Sequence, residues 1–260
     1  WRARGVVPHA VLGHSAGEHV AAVVAGVMSL KHGLKIAMAR GKLLQDKCDP
    51  TEGVMASVFT SRKELQAAID RTNLRGEVAV VAAVNEPSQT VISGHKRAVE
   101  AVCSKVKADH KVLPIPYAMH SPLVAPIIPD LRKVMDACRF QAPTKARFVS
   151  GLLGAEAKEE LADVGYWLSH DEARPVLFMQ GLTALEDLGC TTFLELGPQP
   201  MLLKLAQRCL RQGGQGCELL ASMEQGCDEV ETVLLASRAL GAAFDRPSPL
   251  RPTPFPWAPP

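Results

Sequence analysis

The sequence predicts an α/β protein in which a compact βαββαβ unit interrupts a larger α/β region, and three observations carry the prediction. The apolar run Ala10-Val11-Leu12 leads into Gly13-His14-Ser15-Ala16-Gly17-Glu18-His19-Val20, which reads as a strand, a sharp turn and a helix with a serine at the turn. Strand and helix signals alternate over most of the chain, as they do in layered α/β folds. Between residues 52 and 118 the order of those signals becomes βαββαβ, a ferredoxin-like arrangement.

Each element follows from local chemistry. Glycines two residues either side of Ser15 suit a turn whose strained angles leave no room for neighbouring Cβ atoms, and a helix Ala16–Ala25 follows. Ser29 caps a second helix that runs to about Gln45 and carries Arg40 in its second half. Val54–Val58 suits a strand, and Ser61-Arg62-Lys63-Glu64 has capping-box spacing. Val78–Val84 and Thr90–Ile92 are strands joined through a turn at Asn85-Glu86-Pro87-Ser88. A helix over Lys96–Ala108 and a strand over Lys111–Pro116 complete the unit. Beyond Tyr117 come a helix near Pro126–Cys138, a strand near Arg147–Ser150, a helix near Leu177–Leu188 and a strand over Thr191–Glu195. Gly197-Pro198-Gln199-Pro200 breaks the chain before a helix Met201–Arg211, a strand Glu218–Met223 and a helix Glu229–Ala243. The domain expectation is therefore a discontinuous region of residues 1–51 and 119–243, an inserted unit 52–118, and a proline-rich linker 244–260.

Composition excludes several function classes. Lys+Arg 29 against Asp+Glu 27 leaves a net charge of +2 with no long run of one sign, so neither nucleic acid nor a membrane surface is an expected partner. The seven cysteines are scattered, without a C-x-x-C pair or a histidine at ligand spacing, and read as reduced thiols of a cytoplasmic chain without a metal. Apolar runs are too short for a membrane span, and no signal peptide is visible. The chain opens on Trp1 rather than Met, which suggests an excised piece.

Ser15 is the candidate nucleophile, with the Ala16 N–H at the helix start aimed at an oxyanion forming beside it. A serine hydroxyl needs a base, and His120 is the candidate: it closes the last strand of the inserted unit, where the chain crosses back to the larger region. His9, His19, His32, His95 and His110 are read as structural, and His14 as packing beside the nucleophile rather than a proton carrier. Arg40 lies where a guanidinium could reach the cleft and pair with a carboxylate through its planar fork, or simply be solvated near its helix end.

These residues together resemble the malonyl-CoA:acyl-carrier-protein acyltransferases, and most closely the acyltransferase domains of polyketide synthases. Gly13-His14-Ser15-Ala16-Gly17-Glu18 is similar to the family's G-H-S-x-G-E, and Ala39-Arg40-Gly41 stands where the family has its carboxylate-binding arginine. Asn85-Glu86-Pro87 with Val91-Ile92-Ser93-Gly94 resembles its N-x-P…V-x-S-G hairpin, and Tyr117-Ala118-Met119-His120-Ser121-Pro122 the motif ending in its catalytic histidine. Tyr166-Trp167-Leu168-Ser169-His170 with Arg174-Pro175-Val176 looks like the segment whose backbone orients that histidine, with one residue more between His170 and Pro175. Glu195-Leu196-Gly197-Pro198 and the tail Leu250–Trp257 resemble the family's late turn and the linker that follows it.

The resemblance implies an α/β-hydrolase-like large subdomain with an inserted ferredoxin-like small subdomain. It implies that Ser15 and His120 carry an acyl group from acyl-CoA to the phosphopantetheine thiol of an acyl carrier protein, with no bound cofactor. Arg40 would hold the free carboxylate of malonyl-CoA, while Ala16, Tyr117, Met119 and His14 would line the acyl site and His170 would help orient His120. Met119 fills the space an α-methyl needs, which favours malonyl over methylmalonyl. Partners implied are the carrier protein and neighbouring ketosynthase and other synthase domains. The family's glutamine-rich loop with a second oxyanion donor lies upstream of the nucleophile and outside these residues. Alternatives are a malonyl/acetyl transferase of a fatty acid synthase, a serine thioesterase-like hydrolase, and an inactive domain that only docks a carrier.

Overall fold

The computed structural model describes residues 1–241. In chain order it holds β1 (Ala10–Leu12), α1 (Gly17–Ala25), α2 (Leu30–Lys47), β2 (Gly53–Val58), α3 (Arg62–Asp70), β3 (Ala79–Glu86), β4 (Gln89–His95), α4 (Lys96–Val106) and β5 (His110–Val112). There follow α5 (Ile128–Asp136), β6 (Arg147–Ser150), β7 (Ala155–Ala157), α6 (Val164–Asp171), α7 (Phe178–Asp187), β8 (Thr192–Glu195), α8 (Met201–Cys209), β9 (Glu218–Ala221) and α9 (Glu229–Ala239). The expected linker 244–260 lies outside the described residues.

The chain divides into two compact units. The first takes, among the described residues, 1–8, 192–203 and 217–241; in it β8 and β9 pair in parallel, Thr192 against Glu218 through Glu195 against Ala221. The second takes residues 9–191 and 204–216 and contains every candidate catalytic residue. The boundaries expected at 51/52 and 118/119 fall inside this second unit.

Within the second unit, β2 to β5 form an antiparallel sheet in the order β3-β4-β2-β5, the ferredoxin-like arrangement expected from βαββαβ. Its core is one cluster: Ala56 and Val58 of β2, Leu65, Ala68 and Ile69 of α3, Val81 and Val84 of β3, Ile92 of β4, and Val99 and Val102 of α4. The i, i+3, i+4 spacing in α3 and i, i+3 spacing in α4 set one apolar face of each helix against the sheet. Ser61 and Glu64 close the predicted capping box, worth about 1 kcal/mol. The hairpin differs from expectation. β3 runs on through Asn85 and Glu86, both buried, so the turn is only Pro87-Ser88. β5 stops at Val112 instead of continuing to Pro116, because Pro114 and Pro116 have no N–H to donate to a ladder. His120 therefore lies in a loop beyond the sheet rather than at the end of its last strand.

The remaining strands of this unit form a second sheet, β1-β6-β7, with β1 and β6 parallel and the short β7 antiparallel to β6. Helix α6, which begins where the Asp163 side chain accepts the Gly165 N–H, carries the fully buried Trp167. Its indole N–H donates to the Leu161 carbonyl at 2.9 Å, and its ring stacks on Phe140 with centroids 5.6 Å apart. The segment just before α7 pairs with β3 by backbone: Val84 N–H donates to the Val176 carbonyl at 2.8 Å and Val176 N–H to the Ala82 carbonyl at 2.9 Å. All seven cysteines are free thiols, and no helix among the described residues is long and apolar enough to cross a membrane.

Candidate active site

The turn after β1 forces its own geometry. Ser15 sits at φ 52°, a left-handed conformation that costs a non-glycine residue about 1–2 kcal/mol. Gly17, Glu18 and His19 N–H groups close back onto the His14, Ser15 and Ala16 carbonyls, so the helix starts directly beneath the hydroxyl. A Cβ on Gly13 would come within 2.2 Å of the Glu18 backbone nitrogen, so only glycine fits there. Gly17 is different. A Cβ there would meet nothing within 4 Å, which corrects the expectation that both flanking glycines are sterically required. Ala16, the N-cap of α1, is exposed, with its N–H just ahead of the three that close the turn.

The base arrives from 105 residues away in sequence. Ser15 Oγ lies 2.7 Å from His120 Nε2. His120 also has positive φ, 58°, and its loop is pinned across that strain by Ser121, whose Oγ donates to the Ala118 carbonyl at 2.6 Å and accepts the Leu123 N–H at 3.3 Å. Burial, then the charges of His170 and Arg40, push the His120 pKa down to about 3, so the ring is neutral and able to accept the serine proton. Its Nδ1 is buried with no hydrogen-bond partner among the described residues. His170 thus meets His120 only ring to ring, near perpendicular with centroids 5.8 Å apart, and neither it nor the backbone expected to orient His120 makes a hydrogen bond to it.

Beside the dyad lies a buried charged network in which the motifs give roles to Arg40 and His170 but none to Glu18, Tyr166 or Asp171. Glu18, fully buried, accepts the Tyr166 hydroxyl and the Gly151 N–H at 3.1 Å, with Ser150 Oγ 3.3 Å away. His170 Nε2 stands 3.3 Å from the other face of that carboxylate. Burial opposes the Glu18 charge, and the facing His170 outweighs it, so the carboxyl stays below the usual range; His170 is raised, burial being overcome by Glu18. Arg40 Nε donates to Asp171 Oδ1 at 2.6 Å. Burial works against the Asp171 charge, and Arg40 overcomes it and holds the carboxyl low. His19, 3.7 Å from Asp171 Oδ2, is pushed down to about 4 by burial and is neutral, a structural residue as expected.

The other expected site residues sit as follows. His14 Nε2 donates to Asn85 Oδ1 at 2.8 Å and its ring meets Phe178 edge-on, so it braces the elbow against β3. Met119 is buried and Tyr117 half-buried, next to His120 in the same loop. His19, His170 and Asp171 bring ligand atoms within 4.8 Å of one another, but the Arg40 guanidinium bound to Asp171 disfavours a cation there.

The chemistry of this site agrees with the relatives of the chain. The family model described as the acyl transferase domain matches residues 1–243. Polyketide synthase GfsA of Streptomyces halstedii is 35% identical over 253 residues, which are 95% of this chain and 3% of that synthase. Erythronolide synthase EryA2 of Saccharopolyspora erythraea is 35% identical over 82% of this chain and 6% of its own length. Among solved structures, the acyltransferase domain from the second module of the salinomycin polyketide synthase superposes with a TM-score of 0.83 at 34% identity, covering 94% of this chain and 56% of that one. The malonyl CoA-acyl carrier protein transacylase of Coxiella burnetii gives 0.79 at 26% identity, covering 92% and 74%. With a serine at a strained elbow, a neutral histidine in hydrogen-bond reach and a family match over nearly its whole length, the chain belongs to the acyl transferase domain family, is an acyltransferase, and is similar to the acyltransferase domains of polyketide synthases.

Proposed function

We propose that this domain loads an acyl unit from acyl-CoA onto the phosphopantetheine thiol of an acyl carrier protein through an ester on Ser15. The observation that carries the reading is the 2.7 Å contact between Ser15 Oγ and His120 Nε2 at the elbow. As Oγ attacks the thioester carbonyl, its proton passes to His120 Nε2, and the oxyanion develops beside the Ala16 N–H. Collapse breaks the C–S bond, and the proton on His120 passes to the departing coenzyme A sulfur. In the second half the carrier's thiol gives its proton to His120 and attacks the acyl-serine ester, and the released Ser15 oxygen takes that proton back. Arg40 meets the free carboxylate of a malonyl unit with the guanidinium N–H groups not given to Asp171, and Met119 favours malonyl over methylmalonyl.

The experiment is to supply malonyl-CoA and a phosphopantetheine-bearing carrier protein, and to follow acyl mass on the carrier beside free malonate. Acyl-carrier formation dependent on the domain is the expected result. Free malonate without acyl-carrier would instead make the domain a thioesterase-like hydrolase.

A further inference from the structure

Arg40 is not waiting for an anion. Its Nε already donates to Asp171 Oδ1 at 2.6 Å; Asp171 is only 1% exposed, and the Arg40 side chain is mostly, though not fully, covered. Beside it, His170 faces Glu18 Oε2 at 3.3 Å, and Arg40 faces Asp171 at 2.6 Å. His170 Nδ1 also stands 3.9 Å from Asp171 Oδ1 and His19, 3.7 Å from Oδ2, is neutral, so Arg40 at 2.6 Å makes the closest charged contact with this carboxylate.

We propose that Asp171 is a specificity-determining residue, an internal carboxylate that pairs with Arg40 and lets uncharged acyl groups load alongside carboxylated ones. The proposal rests on the reading of Arg40 as the group that meets a substrate carboxylate. A buried guanidinium without a partner would penalise an uncharged acyl group, because that group leaves the charge desolvated and unpaired. With Asp171 in place the guanidinium stays paired whichever substrate enters, so that penalty is absent. A malonyl carboxylate, in turn, meets the negative Asp171 as well as the positive Arg40, and the net attraction falls. Asp171 touches Arg40 rather than the reacting atoms, and acts through it.

The test mixes the domain with equal acetyl-CoA and malonyl-CoA and reads the partition of acyl-enzyme by intact mass, in the parent protein and in Asp171→Asn, which keeps an oxygen acceptor for Arg40 Nε without the charge. The parent is expected to form both adducts within about tenfold of each other, and Asp171→Asn to shift the ratio towards malonyl by about tenfold or more. A general loss of order would lower both adducts together and leave the ratio unmoved, which would overturn the proposal. So would a fall in malonyl loading alone, which would make Asp171 a support for a malonate clamp. If Asp171→Asn does not fold, the parent's partition decides, and strict malonyl loading overturns the proposal. Absence of either adduct from the folded parent would instead overturn the acyl-transfer reading beneath it.

Discussion

Acidification should leave the Ser15–His120 dyad working where an ordinary histidine would fail. His120 is 3% exposed, and burial with the nearby charges of His170 and Arg40 moves its pKa from 6.5 to about 3. A base with a pKa of 6.5 would be about 3% neutral at about pH 5, and acylation would run about thirtyfold slower than at about pH 7.5. With a pKa of about 3 the neutral fraction stays near one over the same interval, so the rate constant for acylation from limiting acyl-CoA should change by less than about twofold. The assay is quenched-flow mass spectrometry of acyl-Ser15 across that range, in which the free enzyme's base sets the acid limb. An acid limb centred near 6.5 would refute the electrostatic account of His120. The same shift carries a stability consequence: the unfolded chain binds a proton below 6.5 that the folded chain refuses down to about 3, so this contribution is present above 6.5 and is lost as pH falls through that window.

Two further predictions concern the scaffold of the site. Glu18→Gln removes the nearer of the two carboxylates facing His170 and puts an amide donor where Gly151 N–H or Tyr166 now donates; a loss of about 3–5 kcal/mol is expected, read as a fall in Tm of about 6–20 °C. A loss below about 1 kcal/mol would mean that the network contributes little. Gly13→Ala should destabilise by at least about 1–3 kcal/mol, while Gly17→Ala should be neutral or stabilising by up to about 1 kcal/mol, since only the first Cβ meets backbone. Denaturant unfolding of the two variants checks the order, and equal losses would contradict it.

What was legible in the sequence is what local rules write. The elbow, the Ser61 capping box and the βαββαβ order each depend on residues a few positions apart, and the structure builds all three. Asn85 and Glu86 have turn composition, but in the fold they are strand residues whose side chains are taken by His14 and Arg208, so the hairpin turn is narrower than composition implies. β7 is three residues long, too short for period-two alternation to register, whereas α6 carries a local start signal in Asp163. The network beside the dyad could not be read locally at all. Glu18 meets Tyr166 across 148 positions and Arg40 meets Asp171 across 131, and each pairing exists only because α1, α2 and α6 converge.

The central claim is that Ser15 carries the acyl group. Intact-protein and peptide mass spectrometry after mixing with malonyl-CoA should show one added acyl group that maps to the peptide containing Ser15 and is lost in Ser15→Ala. An adduct that persists in a folded Ser15→Ala protein, or maps to another residue, would contradict the account.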